Sequence, residues 1–568
     1  MKFAKLPLGG NPMRSSPYRI WRLRQACLPF WGCALVAIIA ASAPACTSVI
    51  VTRGASADGS VMITYSCDDA GLYASLSMIP AADHKPGETI AVEPRGPKDK
   101  RPPGKIPQVA HTYKVLGFMN EHQLAISETT FGGREELHNP AGLIDCLPLM
   151  MLALQRARTA REAIQVMTRL VSEHGYGDEG ESFSIADTRE AWILEMVGTG
   201  RGGKGAEWVA VRIPDGQVSC HANAARIGEF PRDDPANCLF SENVENFARS
   251  KGWYDPKGGQ PFRFCDAYCP MTPLLRRICD TRVWSILRRA APSKHLPSDY
   301  HRSKPGAQPY PLSLPPDAKL SAADVFGLMR DHYEGTEFDM TQGVDAGPYG
   351  VPRRWRPLVW KVDGVEYTWE RPIATQQTAF TFVSQSRDWL PDLVGGLYWY
   401  GVDDAYTSCY IPLYCGIDAL PKSFTGGSNG KFSWDSAWWV FNLTSNYAYL
   451  KWSQMIPEIR ACQKDIESNF LALQPAVEKT AVELLKTSPN LAVRYLTDYS
   501  VMHGEQTVGR WRELAEHLIV KYNDGYVRDI HGKYPEVGYP EAWLRRVLKE
   551  RPEQFKIPLE KAGEREKH

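Results

Sequence analysis

The feature that most constrains this chain is the position of Cys46. It follows Ala43-Pro44-Ala45, the small-x-small form at which signal peptidase cuts. Upstream lie four arginines (Arg14, Arg19, Arg22 and Arg24) and an apolar run over 26–45. Basic, apolar and cleavage regions in that order read as an export leader over 1–45. Cutting after Ala45 would leave Cys46 as the first residue of the mature chain. A thiol and a free α-amine would then share one residue. The amine, with an ordinary pKa of about 7.7–8.0, is a usable base near neutral pH. The thiol needs such a base to become a thiolate. Pairing an N-terminal nucleophile with its own amine is one way to activate it. Two other readings of Cys46 stand beside this one. It could be an ordinary buried strand residue, or the acylated cysteine of a lipoprotein. Against the second, Ala43 and Pro44 replace the Leu and small residue usual before such a cysteine.

The 568 residues allow about three or four domains. The 66 basic and 65 acidic residues nearly cancel, so no basic field points to nucleic acid, and no nucleic-acid motif is present. No segment after the leader holds about 18 uninterrupted apolar residues, so no internal membrane span is expected. An exported protein can oxidise some of its 13 cysteines. Cys265 with Cys269, or Cys409 with Cys415, are local candidates, but spacing does not fix connectivity. A metal reading of Cys265, Cys269 and Cys279 lacks a zinc spacing and a partner histidine.

Along the mature chain, 48–52 reads as a short β-branched strand. Asp58-Gly59 is a hairpin turn signal, and 61–65 is the returning strand. Residues 83–109, rich in Pro, Gly and Lys, read as an exposed loop. A strand is expected over 123–127 and helices over 147–156 and 159–173. The second helix opens with Thr159-Ala160-Arg161-Glu162, the form of a capping box. Strands follow over 181–187, 190–197, 207–213 and 217–220. Strands, then helices, then strands suggest a sheet sandwich covered by helices, not a doubly wound parallel sheet. No phosphate loop or nucleotide fingerprint appears. Residues 291–320 read as a surface excursion and 340–445 as irregular or strand-like. Residues 450–550 read as mostly helical, with amphipathic stretches over 450–485 and 508–522 and a weaker one over 539–547. The charged tail after Lys556 is expected to fray.

Cys46-Thr47-Ser48-Val49-Ile50-Val51, followed by Gly54-Ala55-Ser56-Ala57-Asp58-Gly59-Ser60, resembles the start of the dipeptidase A family. These are cysteine N-terminal-nucleophile (Ntn) hydrolases related to secernins, bile-salt hydrolases and penicillin V acylases. Further blocks fit in order: Met119-Asn120-Glu121 with Leu124-Ala125-Ile126-Ser127, then Gly180-Glu181-Ser182-Phe183-Ser184-Ile185-Ala186-Asp187. His221-Ala222-Asn223 with Arg226-Ile227, Arg282-Val283-Trp284 and Phe432-Ser433-Trp434-Asp435-Ser436-Ala437-Trp438-Trp439 complete them. The match covers most of the mature chain.

The resemblance implies an α+β fold, a four-layer αββα sandwich with a mostly helical C-terminal elaboration. It divides the chain into the leader over 1–45, a catalytic core over 46–340 and a C-terminal part over 341–568 packed on the core. It implies hydrolysis of dipeptides or short peptides by an exported enzyme, periplasmic or extracellular, with Cys46 as nucleophile and no metal or organic cofactor. Assembly into a homo-oligomer is compatible with it. Asp68 matches an aspartate that contacts the nucleophile's amine, with Asp69 as the register alternative. Asn223 matches an asparagine of the oxyanion and substrate region. Arg282 matches an active-site arginine that could pair with a nearby carboxylate or with the substrate's C-terminus. Two positions depart from the pattern. Tyr65 stands where many relatives carry Arg, and Thr130 where bile-salt hydrolases carry Asn, so both are candidate substrate-binding residues. An acylase for other amides, and a non-catalytic secernin-like or lipid-anchored binding protein, are the alternatives.

Overall fold

The computed structural model describes residues 46–92 and 104–557. The leader read over 1–45 lies outside them, as does the tail beyond 557. All described residues belong to one compact unit, Ser42–His568. Two large antiparallel sheets organise it. The strands, in chain order, are β1 (Ser48–Val51), β2 (Val61–Cys67), β3 (Met78–Ile79), β4 (Val115–Leu116), β5 (Met119–Asn120) and β6 (Ala125–Thr130). Then come β7 (Gly180–Ala186), β8 (Ala191–Gly198), β9 (Ala206–Arg212), β10 (Val218–His221) and β11 (Cys238–Phe240). The last four are β12 (Ser313–Leu314), β13 (Phe380–Ser386), β14 (Leu397–Val402) and β15 (Ile411–Tyr414). One sheet runs β12-β10-β1-β2-β13-β14-β15, the other β11-β9-β8-β7-β6-β5-β4-β3. The first sheet crosses residue 340, because β2 pairs with β13 from Phe380↔Cys67 to Ser386↔Val61.

β1 and β2 pack against β6 and β7, so the two sheets face each other. Every residue of β1, β2, β7 and β8 is buried, as expected for strands covered on both faces. A buried polar ladder joins the sheets. The Ser48 hydroxyl lies 2.9 Å from both Ser127 Oγ and Ser184 Oγ. Ser184 Oγ reaches His221 Nε2 at 2.7 Å, and Thr129 Oγ1 reaches His221 Nδ1 at 2.7 Å. Burial, with Arg226 nearby, pushes the His221 imidazole down to about 3. The ring is therefore neutral and can donate from one nitrogen while accepting at the other.

The turn between β1 and β2 follows from its sequence. Asp58 Oδ1 accepts from Ser60 N (3.0 Å), Ser60 Oγ (2.6 Å) and Ser56 Oγ (2.7 Å), and Gly59 takes φ +83°. Helices α1 (Cys146–Arg156) and α2 (Ala160–His174) cover the far side of β6 to β9. Thr159 caps α2 by accepting from Glu162 N, and the buried stripe Ala163, Ile164, Met167, Leu170 and Val171 explains its periodicity. Helices α3 (Thr281–Ala290), α4 (Ala322–Leu328), α5 (Ala437–Ala448), α6 (Trp452–Thr487) and α7 (Pro489–Tyr522) pack against the first sheet. A last helix, α8 (Glu541–Glu550), has no buried residue. Among the described residues no helix is long and apolar enough to cross a membrane.

Two local readings change. The segment read as a loop over 83–109 carries a hairpin, Thr89–Val92 paired with Gly104–Pro107, whose tip lies outside the described residues. Its Val92 and Ile106 are buried in the cluster under α1, so apolar alternation outweighs the Pro, Gly and Lys content. The cysteines proposed as disulfide partners are all unbonded. Cys409 and Cys415 lie on either side of the four-residue extended strand β15, which holds them at opposite ends.

Two buried ion pairs pin the long helix α6 to the first sheet. Arg330 meets Glu467 through both nitrogens (2.8 and 2.5 Å), and Glu467 also accepts from Tyr410 N at 2.8 Å. Arg387 Nη1 lies 2.5 Å from Glu478. Removing one member strands its partner's charge in the interior. Glu467→Ala is expected to lower unfolding free energy by about 3–5 kcal/mol in denaturant titrations, whereas joint replacement of Arg330 and Glu467 by Met and Leu is expected to cost less.

Candidate active site

Cys46 lies two residues before β1, and its backbone is held on both sides. Its N–H donates to Asn223 Oδ1 at 2.9 Å, and its carbonyl accepts from Arg282 Nη1 at 2.6 Å. The next residue, Thr47, exchanges backbone hydrogen bonds with Ser66 on β2. The thiol lies 3.7 Å from the Tyr65 hydroxyl and 3.7 Å from Glu128 Oε1. Cys46 is fully buried. Burial pushes its thiol well above the usual range, and Cys67, Glu128 and Asp68 add to the shift. The thiol therefore rests protonated and needs a base to attack anything.

Arg282 is the clamp of this arrangement. A π-helical turn, Arg276–Asp280, leads into α3 and sets the side chain beneath the start of β1. All five of its N–H donors are committed. Nε goes to Ile278 O (3.0 Å), Nη1 to Cys46 O (2.6 Å) and Thr47 Oγ1 (3.0 Å), and Nη2 to Ala222 O (3.2 Å) and Asn223 Oδ1 (3.0 Å). None is left for a substrate carboxylate, so Arg282 holds the nucleophile's backbone instead. Burial and the neighbouring Arg371 push the guanidinium down to about 10.

Asn223 sits in the left-handed region at φ +60°, which Asn tolerates better than most residues. Its Oδ1 receives both Cys46 N–H and Arg282, while its Nδ2 donates to Thr130 O at 2.6 Å. Glu195 fixes the loop that follows. Its carboxyl accepts from Arg226 N (2.5 Å) and Ile227 N (3.0 Å), and burial pushes it up to about 7.

Asp68 is fully buried at the end of β2. Its carboxyl accepts from Arg371 Nη2 (2.6 Å), Thr378 Oγ1 (2.7 Å) and Ser66 Oγ (3.3 Å). The Cys46 N–H of this chain goes to Asn223, not to Asp68. Asp68 acts on the thiol and on Arg282 through its charge. Burial pushes the Asp68 carboxyl up, while Arg371 and Thr378 pull it back.

Tyr65 and Thr130 both join the site. The Tyr65 hydroxyl donates to Glu128 Oε1, and Thr130 Oγ1 lies 3.5 Å from Glu128 Oε2. Sequence reasoning missed Glu128. It also missed Glu181, Glu195 and the Arg371 that pairs with Asp68. A carboxylate inside the otherwise apolar and hydroxylic stretch Ile126-Ser127-Glu128-Thr129 was the available signal. Among the described residues, one group could offer three ligand atoms to a metal: Glu128, Glu181 and Cys146, all buried, with those atoms within 4.8 Å of one another.

A family model described as peptidase family C69 matches residues 45–465. A probable dipeptidase of Salmonella dublin is 27% identical over 392 residues, which cover 66% of this chain and 81% of the relative. A probable dipeptidase of Latilactobacillus sakei is 24% identical over 461 residues, covering 77% and 89%. A dipeptidase of Bifidobacterium longum is 24% identical over 417 residues, covering 66% and 72%.

The Glu195 shift has a consequence for stability. The native carboxyl keeps its proton up to about pH 7, while an ordinary Glu loses it near 4.5. Its contribution is therefore fully present below about pH 4.5 and is lost as pH rises through 7. Glu195→Gln is expected to remove that dependence. In urea unfolding between pH 4.5 and 8, the wild type should lose on the order of 3 kcal/mol relative to the variant.

Proposed function

Because the chain belongs to peptidase family C69, we propose that it is an exported cysteine dipeptidase of the Ntn type, with Cys46 as the nucleophile freed by leader cleavage. As a member of that family it is a peptide-bond hydrolase. Two facing antiparallel sheets with helices on their outer sides support the αββα reading of the fold.

One observation carries the mechanistic reading. The backbone nitrogen of Cys46 lies inside the site, on Asn223 Oδ1, beside a thiol that faces Tyr65 and Glu128. Removal of residue 45 would convert that amide nitrogen into an amine at the same place. An amide nitrogen is no base, but an α-amine is.

In the proposed reaction the Cys46 amine takes the thiol proton, directly or through one water. The thiolate attacks the scissile carbonyl carbon, and hydrogen-bond donors that include the Asn223 amide stabilise the oxyanion. The carbon–nitrogen bond breaks as the Cys46 ammonium returns its proton to the leaving amine. Water then attacks the thioester, with the same amine as base, and releases the second product and the free thiol. Asp68 and Arg282 position this machinery. The export leader places the working enzyme in the periplasm or outside the cell.

The exported protein is expected to begin at an unmodified Cys46 by N-terminal sequencing and intact mass. Cys46→Ala is expected to lower dipeptide hydrolysis on the order of 10⁴-fold or more. A chain with residues retained ahead of Cys46 should be equally inactive. A mature terminus elsewhere, or lipid on Cys46, would defeat the mechanism.

A further inference from the structure

Glu128 and Glu181 form a buried carboxyl pair that the proposed chemistry leaves unused. They lie on neighbouring antiparallel strands, β6 and β7, where Glu181 stands opposite Thr130 and diagonal to Glu128. Glu128 is 2% exposed and Glu181 0%. Both Glu181 oxygens are buried, and the polar groups they face are the Glu128 carboxyl and the Thr130 hydroxyl. Among the described residues, no Arg, Lys or His nitrogen comes within ion-pair distance of either carboxyl. Burial, Glu128 and Asp178 push the Glu181 carboxyl well above its usual range. Two buried carboxyls without a cation are costly unless they hold a proton or receive a positive charge.

The nucleophile lies beside this pair. Glu128 Oε1 is 3.7 Å from Cys46 Sγ, and the Tyr65 hydroxyl fixes its direction. Tyr65 is a neutral donor, so it orients the Glu128 carboxyl and brings no positive charge to it. In a peptide with a free amino terminus, the α-nitrogen sits about 2.5 Å from the first carbonyl carbon. A thiolate approaches that carbon at about 3–3.5 Å. With the substrate's amino end turned toward Glu128, these distances allow the α-ammonium to come within hydrogen-bond reach of Oε1.

We propose that Glu128, backed by Glu181, receives the α-ammonium group of the substrate, so the enzyme cleaves the first peptide bond of peptides with a free amino terminus. This rests on the dipeptidase reading and names its substrate class. The ammonium supplies the missing cation and three N–H donors. An N-acylated peptide brings neither charge nor room, and would leave the buried carboxylate unpaired.

The test compares Ala-Ala with propionyl-Ala, the same molecule without its amine, on the exported enzyme as purified. The wild type is expected to prefer Ala-Ala by about 100-fold or more in kcat/KM. Glu128→Gln is expected to collapse that ratio at least about tenfold, mainly through KM for Ala-Ala. The wild-type KM for Ala-Ala should also rise above about pH 8, as the substrate ammonium loses its proton. A wild-type ratio near one overturns the proposal without any variant. A ratio unchanged by Glu128→Gln, or equal losses on both substrates, overturns it and makes Glu128 structural or a proton acceptor for the thiol. Stoichiometric bound metal with activity lost to a chelator overturns it in favour of a metal cation. Wild-type cleavage of propionyl-Ala with none of any free-amine dipeptide overturns the dipeptidase reading as well.

Discussion

A single buried guanidinium holds this site together. Arg282 carries a positive charge while fully buried, which costs several kcal/mol unless every donor is matched and the charge is balanced nearby. Five hydrogen bonds and the charge of Asp68 meet those conditions. Because its acceptors come from the start of β1, the loop after β10 and its own helix, Arg282 welds three separate stretches of chain. The position of Cys46 relative to Asn223 is a consequence of that weld. This also explains why an arginine that matches an active-site position has no donor to offer a substrate.

Burial sets the protonation states around this clamp. The Cys46 thiol and the Glu181 carboxyl are driven toward their protonated, neutral forms, and the His221 imidazole toward its deprotonated one. His221 sits between Thr129 and Ser184, so its neutrality keeps the polar ladder between the sheets intact. A resting site of this kind stores no thiolate. Attack must wait for a base, and an amine on the nucleophile's own residue is the shortest route to one.

The sequence made much of the N-terminal half legible, because local signals there agree with tertiary ones. The Asp58-Gly59 turn, the Thr159 cap and the strands after 180 lie where their patterns put them. The hairpin at 89–107 was hidden by its composition, since Pro, Gly and Lys outnumber the few apolar residues that anchor it. Cys46, Tyr65, Thr130, Asn223 and Arg282 converge on one site, but their partners do not follow from spacing. Asp68 illustrates the gap. Its counter-ion Arg371 lies some three hundred positions away in a stretch with no periodic pattern, and only the pairing of β2 with β13 brings the two ends together. Glu128 left a fainter trace, a lone carboxylate in an apolar and hydroxylic strand, which only burial distinguishes from a solvent-facing one.

That same pairing explains why the candidate site needs nearly the whole chain. β1 lies between β10 and β2 near the middle of its sheet, so the short stretch of chain that enters it, Cys46-Thr47, is fixed by its neighbours. β2 in turn is flanked by β13, whose preceding segment delivers Thr378 and Arg371 to Asp68. The long helix α6 then ties the segments beside β13 and β15 from outside, through Glu478 on Arg387 and Glu467 on Arg330 and Tyr410 N. A nucleophile at the free end of a chain would ordinarily be its most mobile residue. Here the terminus of the proposed mature enzyme is the start of a central strand, so its backbone inherits the rigidity of both sheets. Precision at Cys46 is therefore a property of the assembled fold, and residues far along the sequence contribute to it without touching the thiol.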